Sequence, residues 1–414
     1  MSIITPTDWS SHFADRTDRM RGSAIRELLK LLDTPEVISF AGGIPANEAL
    51  PAHEVAEACN RILETNAVTA LQYGPTEGYN PLREQIVEMY RARGVPATID
   101  NVLIITGSQQ GLDLVGKTLI NEDDTVLIES PTYTGALLAW LPYAPNFLAV
   151  PMDDGGIVLE DANLTGRAKL LYLLPNFQNP TGISLTAERR PKAIEFAQQH
   201  QLLIVEDDPY RELRYSGEAL PALVEVEAAM LGSQWDSAGR VIHLGTFSKT
   251  LAPGLRVGWM LASSTAIKMF TRAKQAADLH TSTLSMMIAD DLMRHKTLDK
   301  NIPALRDLYR ERRDAILEAL AVSVGSRGTW TRPDGGLFVW MTLPGETDTP
   351  GLLAEGLKKN VAFVPGDAFY FDGRGTDALR LNFSANPPNV IHEGIARLGS
   401  LIAERQDSVK VKQA

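Results

Sequence analysis

The stretch TFSKTLAPGLRVG, residues 246–258, follows a short apolar run and combines one lysine with hydroxyl side chains and an arginine. Lys249 comes directly after Ser248, and Arg256 follows seven residues later, after a Pro-Gly turn. A lysine amine that is kept partly neutral can condense with an aldehyde, and hydroxyls with an arginine are suitable ligands for a phosphate group. Taken alone, however, the same residues are more often a solvated surface loop.

Before this stretch, short apolar runs alternate with longer segments of helical periodicity. The short runs are apolar throughout, which is typical of strands buried on both faces of a parallel sheet. The pattern therefore predicts an α/β fold with a mostly parallel sheet between helices. The predicted strands cover residues 102–106, 125–129, 170–174, 202–206 and 241–244, and the predicted helices cover 109–120, 133–141 and 187–200.

The pattern changes after about residue 263. Helices are predicted over 267–294, 303–322 and 390–403, and strands over 337–342, 362–364 and 379–383. This mixture indicates a smaller α+β domain. At roughly 150 residues per domain, a chain of 414 residues is long enough for two or three domains.

Composition and charge narrow the class of protein. Lys plus Arg number 40 and Asp plus Glu number 51, and the net charge of −11 argues against binding to nucleic acid. The single cysteine, Cys59, cannot form an intramolecular disulfide, and no apolar run reaches the roughly 20 residues that span a membrane. The first 20 residues mix Asp and Arg with polar residues, unlike a signal peptide. We therefore expect a cytoplasmic enzyme without a membrane segment.

Residues 111–118 read GLDLVGKT, which matches the phosphate-binding loop pattern G-x-x-x-x-G-K-[ST]. Such a loop should begin directly after its strand and turn its amides inward. Here four residues separate the predicted strand from Gly111, and Leu112, Leu114 and Val115 have the spacing of an apolar helix face. The context favours a helix, and a nucleotide hydrolase is kept only as an alternative.

Three further pieces stand at or after the ends of predicted strands, where open α/β sheets bind their ligands. They are TGSQQG at 106–111, NPTG at 179–182 and EDDPY at 206–210. Asp207 ends an apolar strand, and a carboxylate buried there needs a cationic partner. A protonated pyridine is such a partner, so Asp207 and Lys249 together indicate pyridoxal phosphate.

Other residues of these pieces fit the same cofactor. Tyr210 and Asn179 could donate hydrogen bonds to its phenolic oxygen, although Asp-Pro and Asn-Pro are also common in turns. Ser108 and Gln109 begin a predicted helix, where backbone amides can meet an anion. Tyr133 could stack on the pyridine ring or be an ordinary core aromatic.

Jointly these residues resemble the fold type I pyridoxal-phosphate-dependent aminotransferases, from about residue 20 to about residue 400. The segments SAIRELLKLL, SFAGGIP, ALQYGPTEGYNPLRE, FQNPTG, EDDPYREL and KQAADLHT are similar to the α-aminoadipate/kynurenine (type II) group. The likeness is greatest to the bacterial α-aminoadipate aminotransferases of lysine biosynthesis. The resemblance implies a large domain with a mostly parallel seven-stranded sheet (56–299), a small α+β domain (36–55 and 300–414) and an N-terminal arm (1–35) with a substrate-covering helix.

The resemblance also implies roles for individual residues. Lys249 would hold the cofactor and move a proton between Cα and the cofactor carbon C4′. Asp207 would pair with the ring nitrogen, and Tyr133 would stack on the ring. Contacts to the phenolic oxygen and the phosphate would come from Asn179, Tyr210, Ser108, Gln109, Ser248, Arg256 and, from a second subunit, Tyr73. No residue is assigned to a metal.

The implied substrate site contains a second set of residues. Arg380, in ALRLNF, matches the arginine that binds the substrate α-carboxylate, assisted by Asn179 and the backbone near Gly42. Tyr73 of a second subunit would also border the substrate. Arg26 lies in a Ser-x-Ile-Arg segment whose arginine would meet a side-chain carboxylate; alternatively, it pairs with an acid on the surface.

The function expected from this resemblance is that of a homodimeric transaminase. The donor would be 2-aminoadipate or glutamate, with leucine and aromatic amino acids as further candidates, and the acceptor would be a 2-oxo acid such as 2-oxoglutarate. The alternatives are an aromatic or branched-chain aminotransferase and a β-lyase or decarboxylase on the same fold. A transcription regulator with such a body would need a helix-turn-helix module upstream, for which about 20 residues are too few.

Overall fold

The structure, a computed structural model, describes residues 7–31, 36–164, 166–345 and 347–413. The helices are α1 (Ala24–Leu31), α2 (Ala52–Leu71), α3 (Asn80–Arg91), α4 (Ser108–Leu119), α5 (Thr134–Trp140), α6 (Arg189–His200), α7 (Leu223–Leu231), α8 (Trp235–Ala238), α9 (Ser264–Asp278), α10 (Thr283–Arg294), α11 (Thr297–Ser323), α12 (Thr349–Lys358) and α13 (Pro388–Gln413). The strands are β1 (Ile38–Ser39), β2 (Val102–Ile105), β3 (Thr125–Ser130), β4 (Asn146–Asp153), β5 (Gly156–Ile157), β6 (Ala168–Leu173), β7 (Leu203–Asp207), β8 (Val241–Thr246), β9 (Gly258–Leu261), β10 (Thr329–Trp330), β11 (Phe338–Thr342), β12 (Val361–Ala362), β13 (Val364–Pro365) and β14 (Ala378–Asn382).

The large sheet has the order β2-β9-β8-β7-β6-β3-β4-β5. The neighbours from β8 through β4 run parallel, whereas β9 pairs antiparallel with both β2 and β8, and β5 pairs antiparallel with β4. Strands β2 and β8 are buried along their whole length, as the continuous apolar runs predicted. The α/β fold is therefore confirmed, but the sheet has eight strands where seven were predicted, because the two-residue β5 extends it at one edge.

Three strands of the large sheet, β4, β5 and β9, and one helix break were not predicted. Strand β4 contains Pro151 and is only partly buried, and β5 has only two residues. Strand β9 is short, although its four residues are all buried. The single helix predicted over 267–294 is wrong, because Leu279 has φ +62° and ends α9 there. Ser282 then accepts a hydrogen bond from the Ser285 N–H and starts α10.

The smaller sheet is antiparallel with the order β10-β11-β14-β13, and a parallel pair joins β1 to β12. The strand predicted over 362–364 is in fact two strands, since β12 pairs with β1 and β13 pairs with β14. A separate apolar core unites this sheet with α11 and α13 and includes Phe338, Leu381 and Ile395. The predicted division into two domains and an arm stays a prediction.

The GLDLVGKT segment lies inside α4, as the apolar spacing predicted. A Cβ atom on Gly111 would lie 2.8 Å from the Leu244 side chain, and one on Gly116 would lie 2.7 Å from Trp140. These glycines therefore allow the helix to pack closely on its neighbours, which removes the support for a nucleotide-hydrolase loop. Within the residues described, no helix is long and apolar enough to cross a membrane.

Candidate active site

A buried carboxylate with one unpartnered oxygen lies at the carboxyl end of β7. Asp207 Oδ2 accepts a hydrogen bond from the Tyr172 hydroxyl at 3.0 Å, whereas Oδ1 is buried and has no hydrogen-bond partner among the described residues. Burial raises the pKa of Asp207 to about 7, against the opposing hydrogen bond from Tyr172. A cationic hydrogen-bond donor beside Oδ1 would therefore satisfy this carboxylate.

The preceding residue on β7 lies in a saturated network. Glu206 accepts hydrogen bonds from the backbone N–H groups of Leu223 and Val224 at 2.6 and 3.1 Å and contacts His243 Nδ1 at 2.7 Å. His243 Nε2 lies 2.6 Å from the Tyr90 hydroxyl. Glu206, His243 and Asp208 are close enough to hold a metal, but the carboxylate of Glu206 is already fully engaged. We therefore infer that this network stabilises the sheet.

Lys249 follows β8 and is the candidate nucleophile of the site. Its Nζ donates a hydrogen bond to the Gly43 carbonyl at 2.7 Å, which joins the large sheet to the segment after β1. Burial lowers the pKa of Lys249 to about 8, and the positive charges of Arg380 and Arg256 act in the same direction. The amine is therefore partly neutral near neutral pH, as a nucleophile or a proton carrier must be.

Arg380 lies on β14 and is almost completely buried. Its Nη1 donates to Asn179 Oδ1 at 2.8 Å and its Nη2 to the Ala41 carbonyl at 2.7 Å, while Nε has no partner among the residues that the structure describes. The guanidinium also stacks on the rings of Phe338 and Phe369. Burial lowers its pKa to about 10, and it remains a cation at neutral pH. Such a group can bind a small carboxylate.

The backbone segment before Ile44 connects these two cations. The carbonyl of Ala41 accepts from Arg380 and the carbonyl of Gly43 accepts from Lys249, so Gly42 lies between the two contacts. Gly42 is buried, as a residue that lines a site should be. Sequence reasoning placed Gly42 here, but it could not identify the two flanking carbonyls, which carry no side-chain signal.

A candidate anion site lies between the end of β2 and the start of α4, at residues 106–108. Ser108 begins α4, and its buried Oγ has no hydrogen-bond partner within the described part of the chain. Arg256 Nη2 donates to the Thr106 carbonyl at 3.2 Å and Nη1 to Ser248 Oγ at 3.4 Å. Gly107 has φ +75°, and a Cβ there would lie 2.4 Å from Arg256 Nη2. Free amides at a helix N-terminus, a free hydroxyl and a guanidinium make an anion cradle.

Two predicted aromatic residues border the same region. The Tyr133 hydroxyl lies 3.4 Å from Gln109 Oε1, and Gln109 Nε2 donates to the Gly135 carbonyl at 2.9 Å. The Tyr210 ring packs edge-on against Phe338, and burial raises the pKa of its hydroxyl above the ordinary value. A hydrogen bond with Asn179 opposes that shift in pKa. The Tyr133, Tyr210 and Asn179 side chains are therefore brought together with Arg380.

Two predicted residues lie outside this cluster. Arg26 is exposed on α1, although it is close enough that its charge lowers the pKa of Tyr133, against the larger effect of burial. Tyr73 is 79% exposed on the loop after α2, where it packs edge-on against His280. Its predicted role in the site of a second subunit therefore stays a prediction.

The cluster fits pyridoxal phosphate. Asp207 Oδ1 lacks the donor that a protonated ring nitrogen would provide, and Ser108 Oγ lacks the partner that a phosphate would provide. Sequence reasoning missed Tyr172, which was visible as the one hydroxyl in the apolar run 170–174. The arrangement defines the class of protein: an α/β enzyme that uses this cofactor for chemistry at the Cα of amino acids.

Comparison with known proteins assigns the family. The chain belongs to the class I and II aminotransferases, whose family pattern matches residues 35–398. An aromatic-amino-acid aminotransferase of Thermococcus litoralis is 42% identical over 412 residues, 97% of each chain. A 2-aminoadipate transaminase of Thermus thermophilus is 43% identical over 401 residues, 96% of this chain and 98% of the relative.

A solved structure agrees. The α-aminoadipate aminotransferase of Thermus thermophilus, complexed with N-(5′-phosphopyridoxyl)-L-leucine, superposes with a TM-score of 0.88 at 41% identity, covering 96% of this chain and 99% of that one. The protein is therefore a fold type I, pyridoxal-phosphate-dependent transaminase of the aminoadipate/kynurenine group, and its substrates are amino acids and 2-oxo acids.

Proposed function

We propose that this transaminase takes the amino group from 2-aminoadipate or glutamate and returns it to a 2-oxo acid such as 2-oxoglutarate. Leucine and aromatic amino acids are further candidate donors. The observation that carries the proposal is that the amine of Lys249 and the buried guanidinium of Arg380 both donate hydrogen bonds to the segment 41–43. The names of the relatives, which include an aromatic-amino-acid and a 2-aminoadipate enzyme, support this range of donors.

The proposed roles follow from the positions of the side chains. Pyridoxal phosphate, when bound, supplies an electron sink for the electron pair left on Cα after deprotonation. Asp207 would hold the proton on the ring nitrogen, while Tyr210 and Asn179 would donate to the phenolic oxygen. Lys249 would remove the proton from Cα and deliver it to C4′, since its amine has a pKa of about 8.

The proposed substrate contact is a carboxylate–guanidinium pair. Arg380 keeps its Nε without a partner and is fixed on both other nitrogens, so that its orientation is set before substrate binds. Tyr133 would cover the ring face, and Ser108, Gln109, Ser248 and Arg256 would bind the phosphate. A preorganised site of this kind orients Cα without further movement of Arg380.

The preference for an acidic side chain is assigned to Arg26. We expect Arg26→Ala to lower kcat/KM for 2-aminoadipate and glutamate about tenfold or more, because a charge-assisted hydrogen bond is lost. For leucine and phenylalanine, kcat/KM should change less than about twofold. The control is Arg19→Ala, because Arg19 belongs to the same N-terminal segment but contacts Glu122 on the surface at 3.3 Å. Equal losses for all four donors would contradict the assignment.

We also propose a homodimer in which Tyr73 completes the site of the second subunit. The support is a patch of exposed apolar side chains beside it, Val68, Leu71 and Leu279, which are 82%, 71% and 51% exposed. Burial of this patch against a second copy would remove apolar area from water.

Mixing two inactive variants tests the dimer. A mixed dimer of Lys249→Ala and Tyr73→Ala subunits contains one site with both residues intact if Tyr73 acts across the interface. Activity should therefore return after subunit exchange. If Tyr73 acts within its own subunit, no complete site can form and the mixture stays inactive.

A further inference from the structure

A second buried lysine, Lys274 on α9, is not used by the proposed chemistry. Its side chain has no exposed surface, and its Nζ lies 2.8 Å from Gln110 Oε1 and 2.8 Å from each carboxylate oxygen of Asp278. Lysines are rarely buried to this degree unless they are paired. Removing the ammonium of Lys274 from water is costly, so its burial must be compensated by specific partners.

The partners of Lys274 all hold the turn at residues 106–110. Gln110 Oε1 also accepts the Thr106 N–H at 2.8 Å, and Gln110 Nε2 donates to Asp278 Oδ2 at 2.7 Å. The Thr106 hydroxyl lies 3.2 Å from the same carboxylate oxygen. The ion pair of Lys274 and Asp278 therefore contacts both Thr106 and Gln110, the first and last residues of the turn that carries Ser108.

The break after α9 adds a further tie. Leu279 has φ +62° directly after Asp278, which is an unfavourable conformation for a residue with a side chain. The Thr281 hydroxyl, beyond the break, lies 3.1 Å from the Thr106 hydroxyl. Asp278 at the end of α9 and Thr281 in the linker to α10 thus both contact the turn at residues 106–110.

We propose that Lys274 and Asp278 are positioning residues that fix the anion cradle, so that the hydroxyl of Ser108 and the amides of the turn face the phosphate of the cofactor. The inference rests on the proposed role of that cradle in cofactor binding. Arg256 is included in the arrangement, since it donates to the Thr106 carbonyl that the network holds in place.

The competing explanation is that Lys274 and Asp278 merely stabilise their helix as a pair four residues apart. The next helix offers a matched control: Asp290 pairs with Arg294, four residues away, at 2.9 Å and accepts from the amide of Gln85. Asp278 and Asp290 thus make the same kinds of contact, but only Asp278 reaches the turn at 106–110.

The test compares pyridoxal phosphate with pyridoxal, which has the same ring and aldehyde but no phosphate. In full-length protein freed of cofactor, Asp278→Asn and Lys274→Met should each weaken the binding of pyridoxal phosphate about tenfold, the effect of losing one charge-assisted hydrogen bond. Binding of pyridoxal should change less than about twofold. Asp290→Asn should leave the ratio of the two dissociation constants as in the wild type.

Equal weakening of both ligands by Asp278→Asn, or no weakening of either, would overturn the inference. If Lys274→Met does not fold, the double variant Lys274→Met with Asp278→Leu removes both charges and should show the same selective loss. Ser108→Ala separates this inference from the proposed function. If Ser108→Ala selectively weakens pyridoxal phosphate and Asp278→Asn does not, the cradle stands and the positioning role is wrong; if Ser108→Ala has no selective effect, the proposed cradle itself fails.

Discussion

Glu206 and Asp207 are adjacent carboxylates on one buried strand, yet their surroundings differ completely. Both oxygens of Glu206 accept hydrogen bonds, from Leu223, Val224 and His243. Burial by itself would raise the pKa of Glu206, but its interaction with His243 and the two backbone N–H groups brings the pKa below the ordinary value. Asp207 has one hydrogen bond and one empty oxygen, and burial raises its pKa to about 7.

The difference shows how one strand can serve structure on one face and chemistry on the other. Successive side chains of a strand point to opposite faces. On the Glu206 face, the start of α7 and His243 of β8 supply donors from the protein itself. On the Asp207 face, Tyr172 is the one donor to the carboxylate among the described residues, and a bound group would supply the rest. The unsatisfied Oδ1 of Asp207 therefore marks the ligand side at this point of the strand.

The largest expected effect is that of Lys249→Ala, which removes the proposed base from the chemical face. Turnover should fall by at least about 10³-fold, the range of general acid–base catalysis. The stability of cofactor-free protein should change little, because among the described residues the Lys249 amine donates a hydrogen bond to the Gly43 carbonyl alone. Steady-state kinetics and thermal unfolding check the two parts, with Lys268→Ala on the surface of α9 as control. Normal turnover in Lys249→Ala would refute its role.

The empty oxygen of Asp207 predicts a pH dependence of stability in cofactor-free protein. The folded protein binds this proton with a pKa of about 7, against an ordinary value of 3.8, so deprotonation favours unfolding. Relative to Asp207→Asn, the contribution of Asp207 is fully present below pH 4 and is lost as the pH rises through 7. The change should be at most about 4 kcal/mol, measured by denaturant unfolding at several pH values. A difference that is constant with pH would contradict the prediction.

Glu206→Gln tests the saturated face. The substitution removes the charge that His243 and two backbone N–H groups stabilise, and we expect the free energy of unfolding to fall by about 3 kcal/mol. In the protein that remains folded, the affinity for pyridoxal phosphate should stay within about twofold of the wild type. Urea unfolding and cofactor titration measure both quantities. A loss of affinity without a loss of stability would reverse the assignment of the two faces.

Asp207→Asn should have the opposite signature. Without the carboxylate, the proton on the ring nitrogen is no longer held, and turnover should fall about 10²-fold. The free energy of unfolding of cofactor-free protein at pH 8 should rise, because an unpaired buried charge is removed. Kinetics and unfolding of the same preparation provide the comparison, and destabilisation with normal turnover would show that Asp207 is structural.

The smallest expected effect is that of Tyr172→Phe, which removes the one hydrogen bond that the protein donates to Asp207. Loss of this hydrogen bond to a charged group should lower kcat about tenfold. Since the phenyl ring can keep its packing against Trp140, the melting temperature should change little. The pKa of the bound cofactor, followed by its absorption, should also move. Unchanged kcat and absorption would exclude a role for Tyr172 in positioning Asp207.

Much of the fold was predictable because buried parallel strands leave continuous apolar runs. Strands β2, β3, β6, β7 and β8 were found within two residues of their observed ends. Strand β4 and the break at Leu279 were not predicted, since β4 is half-buried and the break depends on a backbone conformation that no residue type demands. The residues Lys249, Asp207, Asn179 and Arg380 were predicted from motif and resemblance, whereas Tyr172 and Lys274 were not, as both occur in unremarkable apolar or helical segments.

The sequence by itself determined the alternation of strands and helices and the residue types of the site, because periodicity and motif are local properties of the chain. Only the tertiary structure decided which polar groups are satisfied. Glu206 and Asp207 look alike in the sequence, and so do Lys249 and Lys274, of which Lys274 is fully buried and Lys249 only partly. Their difference arises from donors and acceptors brought by distant segments, Gly43 for Lys249 and Gln110 for Lys274. Burial makes each missing or present partner decisive, because hydrogen bonds that water would otherwise provide are absent in the core.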